Sequence, residues 1–318
     1  MKKICIEEHW GTEALGRLRR EWTNQNGFPE VLPLEHVASV MPRLADFDKF
    51  RLPEMDQYNI ALQVLSLPPV PQGYDTALAR ELNDFQAEVV KKHPNRFAGF
   101  AILPMHNPKA AADELERAVK KLGFKGAMVG GHINGEYLDE KQYWVIWERA
   151  EGLGVPLYLH PNEPLPDQIK IYKDHHELLG PTWNWGVETA TIALRIVFSG
   201  VFDAFPKATL ILGHLGEMLP YVLCRLDGRW RVAKHGKSLQ KNPSEYVKEN
   251  MLITTSGHFS PESLKCAISV MGSDRILFSV DYPMESIQEA VKFIETAPIS
   301  EEDRSKICYQ NAERLFGL

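Results

Sequence analysis

The chain has 318 residues, 44% of them hydrophobic, which is enough for a large core. Its 36 Lys and Arg stand against 42 Asp and Glu, a formal net charge of -6, and no basic run appears, so a nucleic-acid partner is disfavoured. No stretch reaches the roughly 18 apolar residues of a membrane helix, the apolar part of residues 1–7 is far too short for a signal peptide, and four scattered cysteines without a CxxC pair fit a reduced, cytoplasmic protein.

In chain order, the first strand is expected over residues 3–7, running into Glu7-Glu8-His9. Residues two apart on an extended chain point the same way, so Glu7 and His9 share a face and Glu8 takes the other. Residues 10–50 carry no strand pattern and read as an inserted lid or loop segment, longer than a plain connection needs. A helix is expected over 46–58 and a strand over 60–67, ended by Pro68 and Pro69. Residues 74–93 have helical spacing, and 96–103 form a strand. The helix over 107–122 has Pro108 in its first turn and Ala111, Leu115, Ala118 and Leu122 along its inner stripe. A strand over 126–131 and a helix over 142–153 follow, then a strand over 155–160 that ends on His160.

Residues 162–180 are irregular and hold His175 and His176. A helix from 180 to 199 leads to a strand over 208–213 that runs into His214, with Glu217 three residues later. A helix over 218–234, a strand over 251–256, a helix over 261–270 and a strand over 275–281 complete the pattern, and helices fill the remainder. Strand then helix, about eight times, with continuous rather than alternating apolar runs, predicts an α/β chain folded as one (β/α)8 barrel over residues 1–318. A doubly wound open sheet is the alternative, but neither a GxGxxG nor a P-loop motif is present.

In a barrel, Glu7, His9, His160, His214 and Asp281 all fall at the C-terminal ends of strands, the face where chemistry occurs. Charged groups at buried strand ends need a partner, and a divalent cation supplies one. Carboxylate and imidazole donors without thiolate suit Zn2+ or Mn2+.

The motifs Glu7-Glu-His9, Tyr158-Leu-His-Pro161, Leu178-Leu-Gly-Pro-Thr-Trp183, Ile211-Leu-Gly-His-Leu-Gly-Glu217, Ile253-Thr-Thr-Ser-Gly257 and Ile276-Leu-Phe-Ser-Val-Asp-Tyr-Pro283 span nearly the whole chain. In their order and content the chain resembles the amidohydrolase superfamily, amidohydrolase 2 branch. Within it, the resemblance is strongest to the nonoxidative aromatic acid decarboxylases, the γ-resorcylate (2,6-dihydroxybenzoate) decarboxylases among them. The resemblance implies that Glu7, His9, His160 and Asp281 bind one divalent metal, and that His214, partnered by Glu217, acts beside it. It implies that Asp281 is the proton donor to the ring of a small hydroxylated aromatic acid, which loses carbon dioxide reversibly. It also implies a homodimer or homotetramer.

The same resemblance makes Arg225, in Tyr221-Val-Leu-Cys-Arg-Leu-Asp227, a candidate substrate contact in its own or a neighbouring subunit's site. His175 and His258 are further candidate contacts, and Trp10, Trp22 and Trp183 are candidate walls of an aromatic pocket. His132, His176 and His235 are expected to be solvated. Two departures from the hydrolases matter: Glu7 stands where they begin a His-x-His pair, and residues 126–131 lack their metal-bridging lysine. Both favour a mononuclear decarboxylase over the alternative, a metal-dependent hydrolase of a lactone or amide. Gly130 stands where some decarboxylases have asparagine.

Overall fold

The computed structural model describes residues 1–28 and 33–318. Among these, eight strand positions follow one another: β1 Lys3–His9, β2 Ile60–Ser66, β3 in two pieces (Phe97–Gly99 and Ala101–Ile102), β4 Ala127–Gly130, β5 Leu157–His160, β6 Leu210–Leu212, β7 Met251–Thr254 and β8 Ile276–Leu277. All their pairings are parallel and join neighbours in sequence. The two pieces of β3 flank Phe100 and link the three-stranded and six-stranded arcs. Between β1 and β8, Asp281 N–H donates to the Glu7 carbonyl and His9 N–H to the Tyr282 carbonyl, which closes the barrel.

Helices cover the outside. They are α1 Glu13–Gln25, α2 Leu34–Leu44, α3 Arg51–Gln57, α4 Thr76–Lys92, α5 Pro108–Leu122, α6 Trp144–Leu153, α7 Asn184–Ser199, α8 Val201–Ala204, α9 Leu219–Val232, α10 Pro243–Asn250, α11 Pro261–Met271, α12 Ile287–Thr296, α13 Glu301–Ser305 and α14 Asn311–Phe316. Their starts are set by side chains that accept the first free N–H groups: Asp75 for α4, Asn107 for α5, Ser260 for α11 and Ser286 for α12. α10 has no strong apolar period and does not stand out in the sequence, yet Asn242 and Glu245 close it with a reciprocal cap.

The core has two parts. Ile4, Ile6, Val64, Ala98, Phe100, Met128, Tyr158, Ile211, Leu252 and Leu277 fill the barrel interior, one or two residues from each strand. A larger apolar shell, including Trp147, Leu115, Ile196 and Phe293, lies between strands and helices. Burial on both faces explains the continuous apolar runs of the strands.

The segment over residues 10–50, read from the sequence as an inserted lid or loop, has helical structure of its own. It contains α1 and α2 and leads to α3; residues 29–32 of it lie outside the described residues. No helix among the described residues is long and apolar enough to cross a membrane.

Candidate active site

The site begins with an irregularity in β1. Ile4 and Ile6 face the barrel interior, so strict alternation would send Glu8 inward. The pairing with β2 instead slips between Cys5 and Glu8: Cys5 lies opposite Gln63, and Glu8 opposite Leu65. One extra residue on β1 is a bulge, which re-aims the side chains beyond it. The N–H groups of Ile6 and Glu7 both donate to the Ser279 hydroxyl, at 2.8 and 2.6 Å, and this holds the bulge. Past the bulge, Glu7 and His9 turn to the site. Glu8 turns away, accepting from Gln63 Nε2 at 3.1 Å and from Val280 N–H at 2.9 Å. Burial pushes the Glu8 carboxyl well above the usual range, against these bonds and nearby Arg51.

Glu7, His9 and His160 are all buried, and one ligand atom of each lies within 4.8 Å of the others. Glu7 Oε1 is 3.8 Å from both His9 Nε2 and His160 Nε2. The other ring nitrogens are occupied: His9 Nδ1 lies 3.0 Å from Ser66 Oγ and His160 Nδ1 lies 2.7 Å from the Pro161 carbonyl. Such outer bonds fix a ring's tautomer and leave Nε2 with a free lone pair. Glu7 Oε1 and His9 Nε2 are buried without a hydrogen bond. Orphaned buried acceptors are costly, and these converge on one point with the donor chemistry of a Zn2+ or Mn2+ site. The residues present therefore fit a single divalent ion. Burial, with His9 alongside, holds His160 well below the usual imidazole range, in the neutral form a ligand needs.

Asp281 stands at the edge of this cluster and outside the tight group of three. Its Oδ1 is 3.1 Å from His9 Nε2 and its Oδ2 is 3.8 Å from His214 Nε2. His214 Nδ1 lies 2.8 Å from Glu217 Oε1. Burial works against both charged forms, but the partners outweigh it. The neighbouring His214 and His9 rings hold the Asp281 carboxyl well below its usual range, and Glu217 and Asp281 hold the His214 imidazole well above its own. The backbone here is unusual: His214, Leu215, Glu217 and Asp281 all have positive φ, between 50° and 77°. Non-glycine residues rarely adopt this region, and such strain clusters where function demands it.

Several residues absent from the sequence expectations complete the arrangement. The Tyr158 hydroxyl donates to Glu7 Oε2, lies 3.0 Å from Thr254 Oγ1, and Thr254 lies 2.8 Å from Ser256 Oγ. Ser256 Oγ accepts from the His214 N–H at 3.2 Å, so a hydroxyl chain joins the cluster to His214. Tyr158 was legible, because it lies two residues before His160 on the same strand face. Gly213 lies against this chain: a Cβ there would meet Glu7 Oε2 at 3.0 Å. A Cβ on Gly186 would meet Glu217 Oε2 at 2.7 Å. Glu188 on α7 is half-buried, and desolvation pushes its carboxyl up to about 8.

The other expected contacts divide. His258 is adjacent to the site, with Nδ1 3.3 Å from the His214 carbonyl. His175 is exposed and pairs with Glu177 at 3.1 Å, a local interaction outside the cluster. Arg225 is exposed on α9, and no hydrogen bond or ion pair of its side chain occurs among the described residues. Trp22 is buried on α1 and stacks on Phe28, with ring centroids 5.3 Å apart. Trp10 is likewise buried and donates to Gln86 Oε1, whereas Trp183 is half exposed. His132 is buried rather than solvated, its Nε2 lying 2.8 Å from the Glu163 carbonyl. A Cβ on Gly130 would meet Asn162 Nδ2 at 3.0 Å.

The amidohydrolase family model Amidohydro_2 matches residues 41–318. The γ-resorcylate decarboxylase of Polaromonas sp. strain JS666 is 43% identical over 99% of this chain and 98% of its own. A crystal structure of a dihydroxybenzoic acid decarboxylase from Polaromonas sp. JS666, with bound manganese and the inhibitor 2-nitroresorcinol, superposes with a TM-score of 0.91 at 43% identity, covering 100% of this chain and 97% of that one. A 2,6-dihydroxybenzoate decarboxylase complexed with 2,6-dihydroxybenzoate has a TM-score of 0.92 at 40% identity, with both chains fully covered.

Proposed function

The chain belongs to the amidohydrolase family, and from that membership we propose that it is a metal-dependent, nonoxidative decarboxylase of a hydroxylated aromatic carboxylic acid. The observation that carries the reading is a buried cation cradle, Glu7, His9 and His160, with His214 and Asp281 facing each other at its edge. Glu7, His9 and His160 would hold one divalent ion, and Asp281 at their edge would complete the set. Manganese is a natural occupant, as in the relative from Polaromonas. When bound, the ion would supply positive charge that offsets the negative charge of a hydroxylated aromatic carboxylate.

Asp281 delivers a proton to the ring carbon that bears the carboxylate. The bond from that carbon to the carboxylate then breaks, its electron pair returns to the ring, and carbon dioxide leaves as aromaticity is restored. The proton reaches Asp281 by way of His214, and Glu217, 2.8 Å from His214 Nδ1, holds the ring in place. The sequence runs backwards at high bicarbonate, giving carboxylation of a phenol. A homodimer or homotetramer would give the exposed Arg225 a neighbouring subunit to face. Four free cysteines support a reducing, cytoplasmic setting.

Metal-loaded protein incubated with a panel of hydroxybenzoates, 2,6-dihydroxybenzoate included, is expected to release carbon dioxide. Lactone opening without turnover of any hydroxybenzoate would sink the reading in favour of a hydrolase.

A further inference from the structure

α1 begins three residues after His9, at the Thr12 cap, and only Leu15 and Trp22 along it are buried. Its apolar hold on the barrel is therefore thin. Two polar contacts tie it across the rim. The Leu18 carbonyl accepts from Gln72 Nε2 at 3.2 Å, on the loop after β2. Arg19 Nη2 lies 2.5 Å from Glu163 Oε1, on the loop after β5, three residues past His160. The Arg19 guanidinium also lies over the Trp185 ring, 5.4 Å from its centroid, and Trp185 Nε1 donates to Glu163 Oε2 at 3.4 Å.

The two halves of the pair are unequal. The Glu163 side chain is 4% exposed and the Arg19 side chain 31%. Glu163 is anchored without Arg19: its carbonyl takes His132 Nε2, and its N–H donates to Asn162 Oδ1 at 3.0 Å. Asn162 Nδ2 in turn donates to the His132 carbonyl at 3.1 Å. The socket is thus preset on the barrel and the cation arrives from α1. A buried carboxylate left unpaired is costly, so the socket favours the docked helix.

We infer that Arg19 and Glu163 form a latch that holds α1 closed across the rim beside the His160 loop, and that Arg19 is a positioning residue for the substrate. The effect on turnover rests on the decarboxylase reading above; the docking of α1 does not. Hydrogen exchange of residues 13–25, metal content, kcat and KM are measured for the metal-loaded full chain and for Arg19→Ala, Arg19→Lys and Glu163→Gln. For Arg19→Ala and Glu163→Gln, exchange across α1 speeds up while α5 and α7 keep their protection, and metal content stays constant. KM for 2,6-dihydroxybenzoate rises about tenfold, the size of one lost charged contact, with a much smaller change in kcat. Arg19→Lys restores part of both, since lysine keeps the charge but loses the planar contact with Trp185.

Unchanged exchange across α1 in Arg19→Ala overturns the latch whatever the kinetics. Faster exchange with KM unmoved overturns the positioning role. Metal loss or faster exchange throughout the barrel overturns it too, by making the pair a general structural bond. If the wild-type chain turns over no hydroxybenzoate yet Arg19→Ala frees α1, the latch stands and the decarboxylase reading falls.

Discussion

His214 and Asp281 stand 3.8 Å apart, but their places differ. His214 touches Glu217 and Asp281 and none of the three cradle residues by hydrogen bond, whereas Asp281 also touches His9. Replacing His214 by Asn is therefore expected to leave the bound metal intact and to lower kcat by about 10²–10⁴-fold, the usual worth of a positioned proton donor. Metal analysis beside steady-state kinetics checks this; a fall in metal content would place His214 among the ligands. Asp281→Asn is expected to reduce both metal content and turnover, as the proposed double role of its carboxylate requires. Glu7 and Tyr158 belong to the same scale. A single hydroxyl holds one oxygen of Glu7, which leaves the other free to face His9 and His160.

At the level of the element, β1 is the part that sets the site. Its bulge turns Glu7 inward after Ile6 is already inward, and Ser279 on the closing strand accepts both N–H groups that the bulge frees from its ladder. Ser279→Ala leaves those two buried donors without a partner, at a cost of about 1–3 kcal/mol each. Denaturant unfolding is expected to show a stability loss of that order, and metal titration a weaker site. Full stability with unaltered affinity would mean that the bulge is held by the strand pairing alone. α7 contributes differently. Gly186 at its first turn leaves room for the Glu217 carboxylate, so the helix approaches the His214–Glu217 pair without displacing it.

Across the whole molecule, the barrel brings residues 7, 9, 160 and 281 to one face although more than a hundred residues separate some of them. Three buried ligand side chains facing one another are satisfied by a cation and frustrated without it. A ligand that binds the folded chain and not the unfolded one adds stability with its concentration. Chelation is expected to abolish activity and to lower the melting temperature, and added Mn2+ to restore both. A melting temperature indifferent to chelator and to Mn2+ would remove the cradle's claim to be a metal site.

The repeat of apolar strand and amphipathic helix was legible along the chain, because burial on both faces of a parallel strand writes a continuous apolar run. So were His160 and His214 at strand ends, since a strand's exit can be read from its run and the residue after it. Alternation paired Glu7 with His9 correctly but could not show that both face inward; the pleat that begins at Ile4 would have sent Glu8 there instead. That was decided by a bulge whose hydroxyl partner, Ser279, lies 272 residues from Glu7 in sequence. Residues 10–50 read as a loop because they carry no strand pattern, and the ion pair that docks α1 joins residues 144 apart. The exposed places of Arg225 and His175 were likewise invisible, since residue type fixes charge and not direction. The sequence by itself determined the barrel, its closing order and the donor chemistry of the site, all written in local pattern and residue type. Only the tertiary structure decided which side chains converge, because convergence depends on bulges, closures and partners that are distant in the chain.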